Sequence, residues 1–345
     1  MLRRTLAVGL TIVAVLAAGW LALRRADIPY DTLEMVYATP DSQFMTLDDG
    51  LKVHFTDTGP QDRSAIVLVH GFSASLHTWE AWKTDLELDY RIITLDLPGH
   101  GLSRADDPSA ANIDRFVEVV HAVTQQLGVE QFTLAGNSMG GNTAWQYALA
   151  HPETLDGLVL VAASGWPEEA DEGDDSPFIF TLLSNPIARA VLKDLDMTSL
   201  TRSGLESSYA DPAFVTDELV ERYVALSRAP GHRATLLAIM AGDRVLATPE
   251  TVSQISVPTL MIWGREDNLV PVSGAQKFGD AITGSQVIIY DNIGHLPQEE
   301  HAAQSIADLR AFMLEVEWNA LDEEAIIPAG DPRLTENRPA EDNPE

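Results

Sequence analysis

The 345-residue sequence predicts an α/β protein in which helices flank a mostly parallel central sheet and a helical segment is inserted. Three observations predict this fold. Short apolar runs alternate with helix-like stretches, an acidic segment interrupts the alternation, and the pattern resumes afterwards. Hydrophobic residues make up 45 % of the chain, enough to bury the core of one large domain and still carry an inserted module.

The strands are predicted from short runs rich in Val, Ile and Leu. Several runs are continuously apolar, as expected for a sheet buried on both faces. The predicted strands are Leu51–Thr56, Ala65–Val69, Arg91–Leu95, Gln131–Ala135, Gly157–Ala162, Val257–Trp263 and Gln286–Tyr290. Between them, Ile113–Leu127 is the clearest helix, because its apolar residues recur at helical spacing and Gly128 closes it. Strands alternating with helices predict right-handed parallel crossovers.

The domain boundaries follow from changes in this pattern. After Gly165 comes the acidic run Glu168–Asp175, followed by helical segments to about Ala247. Another helix-like stretch, Ala302–Phe312, precedes an end rich in Pro, Glu, Asp and Asn, which is typical of disorder. We therefore predict an anchor or signal segment with linker (1–34), a core in two parts (35–164 and 251–320), a helical cap (165–250) and an acidic disordered tail (321–345).

The amino-terminal segment Thr5–Leu23 is uncharged and mostly apolar. As a helix its roughly 19 residues would cross the hydrocarbon layer, which favours a membrane anchor. A cleaved signal peptide, with secretion of the mature protein, is the alternative, although its apolar region usually spans about 7–15 residues. Arg3 and Arg4 precede the segment, whereas acidic residues soon follow Arg24 and Arg25. We expect the amino-terminal tail inside and the globular domain on the periplasmic or extracytoplasmic side.

Charge and cysteine content exclude several classes of function. The formal net charge is −30, with 52 acidic against 22 basic residues. This balance argues against nucleic-acid binding, which needs clustered Lys and Arg. The absence of cysteine excludes a disulfide framework, a thiolate nucleophile and a zinc site with Cys ligands. We predict no cofactor, and the oligomeric state stays open.

A nucleophile motif follows the predicted strand Gln131–Ala135. Residues Gly136–Gly141 read Gly-Asn-Ser-Met-Gly-Gly and lead into the helix-like stretch Asn142–Ala150, which is the strand, turn and helix that G-x-S-x-G requires. The glycines leave room for neighbouring strand and helix, so that Ser138 is pushed out above the sheet. The backbone N–H of Met139 then lies at a helix amino terminus, where it can bind an oxyanion.

The acid and the base are expected in loops after later strands. Asp267 follows Val257–Trp263 and is preferred over Glu266, whose side chain we expect to point away. His295 follows Gln286–Tyr290 within Asn-Ile-Gly-His. The chain order Ser, Asp, His matches the order typical of this arrangement.

The second oxyanion donor is predicted after the strand Ala65–Val69, where Gly71 lets the N–H of Phe72 approach closely. His70 is interpreted as a turn residue that packs and hydrogen-bonds locally. The other histidines lack an acidic or histidine partner at ligand spacing, so no metal site is predicted. These are His54, His77, His121, His151, His232 and His301, with His100 in a turn.

Together these motifs resemble the α/β-hydrolase superfamily with a cap domain, over about Met45–Val316. The resemblance rests on His70–Phe72, Asp96–Ser103, Gly136–Gly141, Trp263–Asp267 and Gly294–His295. The oxyanion loop and elbow look most like bacterial esterases and lipases, including relatives of monoacylglycerol lipases, and this implies a carboxylic ester substrate. Haloalkane dehalogenases and epoxide hydrolases carry aspartate where this chain has Ser138, which disfavours both.

The substrate is predicted only as a small-molecule or lipid-like ester, because the scaffold hosts many chemistries. Apolar residues that could line an acyl pocket, or simply pack the core, are Phe72, Met139, Phe178, Phe180, Leu183 and Leu296. One alternative is carbon–carbon bond hydrolysis, since those enzymes share the Gly-Asn-Ser-Met-Gly-Gly elbow but usually have tryptophan where Leu296 stands. A ligand sensor on the same fold is the other alternative.

Overall fold

The computed structural model describes residues 11, 14, 15, 17–105, 107–167, 185–242 and 245–325. Its centre is an eight-stranded sheet in the order β1-β2-β4-β3-β5-β6-β7-β8. The first two pairings, β1 with β2 and β2 with β4, are antiparallel, and all others are parallel. The strands are β1 Ser42–Thr46, β2 Lys52–Thr58, β3 Ala65–Val69, β4 Arg91–Leu95, β5 Phe132–Asn137, β6 Leu155–Val161, β7 Thr259–Gly264 and β8 Gln286–Tyr290.

The α/β-hydrolase fold predicted from the motifs is therefore confirmed. Helices cover the sheet and fill the insertion between β6 and β7. They are α1 Tyr30–Tyr37, α2 Glu80–Leu86, α3 Ile113–Gln126, α4 Met139–Ala150, α5 Pro186–Leu192, α6 Thr198–Ser208, α7 Asp217–Ser227, α8 His232–Ala241, α9 Pro249–Val252, α10 Ser273–Ala281, α11 Pro297–Glu300 and α12 Ala302–Ala325. Helices α5–α8 are referred to below as the cap.

Each face of the sheet carries its own apolar core. Neighbouring residues of one strand, such as Ile66 and Val67, belong to different clusters because side chains alternate across a strand. One cluster packs against α3, α4 and α10 through large side chains that include Trp145. The other packs against α2 and α12 through Trp82 and Phe312. The sheet is thus covered on both sides, and the carboxyl ends of its parallel strands carry the loops of the candidate site.

Strand β1 was not predicted. Its sequence, Ser-Gln-Phe-Met-Thr, has no continuous apolar run, because β1 lies at the sheet edge and none of its five residues is buried. Helix α3 matches its prediction closely. Asn112 caps it by accepting a hydrogen bond from the Arg115 N–H at 2.9 Å.

The structure describes only part of the predicted anchor and of the predicted tail. Helix α12 continues to Ala325, past the predicted start of the tail at residue 321, and residues 326–345 lie outside the described part. Of the predicted anchor, residues 5–10, 12, 13 and 16 lie outside it, and residues 17–23 are helical. Within the described ranges, no helix is long and apolar enough to cross a membrane. The anchor and its orientation stay predictions.

The segment after residues 17–23 docks on the cap. The Arg25 N–H donates to the Asp194 carbonyl at 2.7 Å, and the Asp196 N–H donates to the Leu23 carbonyl at 2.9 Å. In α1, Leu33 is 2 % exposed and shares an apolar cluster with Leu102, Leu226 and Ala229. This region therefore contacts both the cap and the core.

Candidate active site

Ser138 lies in a tight turn between β5 and α4. Its φ of 55° and ψ of −115° are a strained conformation for a residue with a side chain, at a cost of about 1–3 kcal/mol. Backbone hydrogen bonds hold the turn. The Ser138 N–H donates to the Val161 carbonyl, and the Ser138 carbonyl accepts from the N–H groups of Asn142 and Ser164, all at 3.0 Å.

The glycines on either side of Ser138 are required by close backbone contacts. A Cβ at Gly136 would lie 2.1 Å from the Gly140 carbonyl oxygen, and one at Gly140 would lie 2.2 Å from the Val69 carbonyl oxygen. No side chain fits at either distance. The strand, the turn and the helix are therefore packed backbone against backbone, as the motif predicts.

Asp267 and His295 form a buried pair. His295 Nδ1 lies 2.8 Å from Asp267 Oδ2, and the two side chains are 6 % and 0 % exposed. The second carboxylate oxygen, Oδ1, accepts from the N–H groups of Leu269 and Val270 at 2.8 and 2.9 Å. Because these bonds orient Asp267 as an acceptor, His295 carries its proton on Nδ1 and leaves Nε2 free to take a proton.

Glu266 has a different partner, as expected. Its Oε2 accepts from the Ile293 N–H at 3.2 Å, and its own N–H donates to the Ile293 carbonyl at 3.0 Å. The side chain thus contacts the backbone of the histidine loop rather than the imidazole.

The histidine loop meets the Ser138 turn through Asn137. Its Nδ2 donates to the His295 carbonyl and to the Val161 carbonyl, each at 3.2 Å. Asn137 is 2 % exposed and directly precedes Ser138. The fold therefore brings the three predicted catalytic residues into one region, with Asn137 as a link that the sequence reasoning did not identify.

The two predicted oxyanion donors belong to segments that lie next to Ser138. Met139 begins α4, so its N–H has no carbonyl partner within the helix. The loop containing Phe72 runs beside the nucleophile, because a Cβ at Gly71 would lie 3.1 Å from the Ser138 Cβ. The loop of Phe72 and the start of α4 therefore both lie beside Ser138, and the two N–H groups stay the predicted oxyanion donors.

His70 has the local role expected from its sequence. It is fully buried, its Nε2 accepts from the Leu97 N–H at 3.0 Å, and its Nδ1 donates to the Gly71 carbonyl at 2.7 Å. Burial lowers the pKa of His70. The neutral ring therefore braces the oxyanion loop against the loop after β4.

His54, for which the sequence shows no partner at metal-ligand spacing, contacts an acidic side chain in the structure. Its Nδ1 lies 2.6 Å from Asp96 Oδ2, because β2 pairs antiparallel with β4 and sets the two residues opposite each other. Burial opposes ionisation of Asp96, but the adjacent His54 and the Leu102 N–H hold the pKa of Asp96 below its usual value. Asp96 also accepts from the Leu76 N–H at 2.7 Å. The pair braces the segment that follows the oxyanion loop.

The predicted acyl-pocket residues fall into three groups. Phe178, Phe180 and Leu183 lie outside the described residues. Met139 and Leu296 are buried, and Leu296 packs among cap residues, including Leu205 and Tyr209. The side chain of Phe72 is 38 % exposed and is the most accessible of the three described residues.

In the parts of the chain that the structure covers, no group of three or more His, Asp or Glu residues could hold a metal ion. What the described site offers is a hydroxyl, an imidazole with a buried carboxylate, and backbone donors. These are the components of nucleophilic acyl transfer.

Comparisons with known proteins agree with this geometry. The chain matches the family described as the alpha/beta hydrolase fold over residues 64–302. A 2-hydroxymuconate semialdehyde hydrolase of Pseudomonas sp. is 29 % identical, with 79 % of this chain and 94 % of the relative covered. A monoacylglycerol lipase of Xenopus laevis is 28 % identical, with 76 % and 79 % covered. A membrane phospholipase A of known crystal structure is 25 % identical in sequence and superposes with a TM-score of 0.65. The match covers 91 % of this chain and 99 % of that one.

Proposed function

The chain belongs to the α/β-hydrolase fold family, and from this premise we propose that it is a serine hydrolase that cleaves carboxylic esters through an acyl-enzyme on Ser138. The observation that carries the proposal is the buried 2.8 Å contact between His295 and Asp267, beside the strained turn that presents Ser138. An imidazole that a buried carboxylate holds in one tautomer is the base that activates a serine in such enzymes, and Ser138 is partly exposed.

The proposed reaction has two halves. His295 Nε2 takes the proton of Ser138 as its oxygen attacks the ester carbonyl, and the N–H groups of Met139 and Phe72 bind the resulting oxyanion. Collapse of this intermediate breaks the bond to the alcohol, which leaves with the proton from His295. In the second half, His295 takes a proton from water as the water oxygen attacks the acyl-enzyme. Collapse of this second intermediate breaks the bond to Ser138, whose oxygen takes the proton back from His295 as the carboxylic acid is released.

A lipid-like ester, such as a medium-chain glyceride, is the proposed substrate class. The apolar segment Thr5–Leu23 supports it, because a membrane anchor would place the enzyme beside substrates that partition into the bilayer. The monoacylglycerol lipase and the membrane phospholipase A among the similar proteins support it as well. We also propose that the catalytic domain lies on the extracytoplasmic side of the membrane.

Carbon–carbon bond hydrolysis is the second candidate, favoured by the relative that is a 2-hydroxymuconate semialdehyde hydrolase. Leu296 weighs against it, because those enzymes usually have tryptophan after the catalytic histidine. Such a substrate would be a diketone-type acid whose enol absorbance falls on cleavage.

The testing experiment measures hydrolysis of p-nitrophenyl esters from acetyl to palmitoyl by the full chain and by its Ser138→Ala variant. We expect an optimum at medium chain length and a loss of at least about 10³-fold in kcat for the variant. Activity confined to acetyl esters would contradict a lipid substrate. Absence of any ester turnover would contradict the ester proposal and leave carbon–carbon hydrolysis, scored by loss of enol absorbance, or ligand sensing.

A further inference from the structure

The loop that carries the proposed general base is held by the cap. The His295 N–H donates to the carbonyl of Ser208, the last residue of α6, at 2.7 Å. Gly294, the preceding residue, also lies close to Ser208, since a Cβ at position 294 would be 2.6 Å from the same carbonyl oxygen. The cap backbone therefore contacts the base directly.

Glu300, at the end of α11, bridges the same two segments. Its Oε2 accepts from the Gly294 N–H at 2.6 Å. Its Oε1 accepts from the N–H groups of Ala210 and Asp211 in the cap at 2.8 and 3.1 Å. Only a carboxylate offers acceptors on both oxygens, because an amide would turn a donor toward one of these N–H groups.

The neighbouring Glu299 makes a second bridge from α11. Its carboxylate accepts from the Tyr209 hydroxyl at 2.7 Å and from the Thr78 hydroxyl. Thr78 belongs to the short helix Leu76–Trp79, which follows the oxyanion loop. Burial raises the pKa of Glu299, although these two hydroxyls counteract the effect. The cap, the base loop and the segment after the oxyanion loop thus meet at two adjacent carboxyl groups.

We propose that Glu300 is a positioning residue for His295, so that the cap forms part of the support of the catalytic base as well as a lid. The proposal rests on the serine-hydrolase function proposed above. Glu300 acts by fixing Gly294, and with it the histidine backbone, to residues 208–211. A displacement of the imidazole by about 1 Å is enough to cost on the order of 10²-fold in rate.

The test compares Glu300→Ala and Glu300→Gln with Glu218→Gln, a matched change on an exposed cap helix. Four quantities are measured on the full chain: the rate at which a fluorophosphonate labels Ser138, kcat per titrated active site, KM, and the melting temperature. For Glu300→Ala we expect labelling and kcat to fall about 10- to 100-fold, with KM changed less than about threefold. Glu300→Gln should lie between Glu300→Ala and wild type, because it keeps one acceptor.

Several outcomes separate the possibilities. If Glu300 variants keep wild-type labelling and kcat per active site while melting at lower temperature, Glu300 only stabilises the fold and the proposal is overturned. If Glu300→Ala does not fold, the isosteric Glu300→Gln decides by the same criterion. Failure of the wild-type chain to react with the fluorophosphonate would instead overturn the serine-hydrolase function.

Discussion

Ser138 and His295 are held by two different kinds of structure. Ser138 is fixed by backbone hydrogen bonds to β6 and α4, within the core, and by glycines that allow close packing. The loop of His295 is fixed largely by carboxylates, from Glu266, Asp267 and Glu300, and by the cap backbone at Ser208. The proposed nucleophile is therefore held by local backbone packing, whereas the proposed base is held by carboxylate acceptors and by an insertion distant in sequence.

The largest expected effect separates two neighbouring carboxylates, Glu266 and Asp267, in the loop after β7. Asp267→Asn would place an amide opposite the Nδ1–H of His295 and favour the wrong tautomer, so kcat should fall about 10³- to 10⁴-fold. Glu266→Gln keeps an oxygen for the Ile293 N–H and should cost less than about tenfold. Steady-state kinetics on the best ester measure both. Equal losses would mean that the two acids share one role.

A smaller effect concerns the junction of cap and core at His232. This fully buried ring contacts the Leu226 and Ser103 carbonyls, and burial lowers its pKa to about 4 despite those contacts. As pH falls from 6.5 towards 4, the unfolded chain binds a proton that the folded chain does not, so stability decreases on acidification. The difference is worth at most about 3 kcal/mol.

Chemical denaturation of wild type and His232→Gln between pH 7 and pH 4 measures this contribution. The variant should lose less stability over that range, because it lacks the imidazole whose pKa is lower in the folded than in the unfolded chain. Parallel pH profiles for both chains would show that His232 is not responsible for the acid sensitivity.

The smallest effect concerns strain in the nucleophile turn. Ser138→Gly should have a free energy of unfolding about 1 kcal/mol higher than Ser138→Ala, because glycine adopts a φ of 55° without a Cβ clash. Both variants lack the nucleophile, so equilibrium unfolding in urea is the measurement. If the alanine variant is as stable as the glycine variant, the backbone at residue 138 is not the strained position.

The difference between the local support of Ser138 and the distant support of His295 explains what could be predicted from the sequence. The turn around Ser138 is local, so six consecutive residues were enough to identify it, and the loops of Asp267 and His295 follow apolar strands. The support of His295 is not local. Residues 208–211 lie more than 80 positions from Gly294 and Glu300, in an insertion whose sequence carries no repeated pattern. His54 and Asp96 were missed as partners for the same reason, since strand pairing joins them across 42 positions.

The insertion begins after β6 and ends before β7, and these two strands are paired in parallel, with Val161 opposite Ile262. Its two ends therefore return to adjacent strands about 4.8 Å apart, so one cap can be exchanged for another without disturbing the sheet. Such an exchange would diversify the substrates of a lineage while its catalytic core is inherited unchanged. The contacts at Glu300 and Ser208 restrict such exchanges. A new cap must supply backbone groups that bind Glu300 and the loop of His295, because His295 is otherwise misplaced.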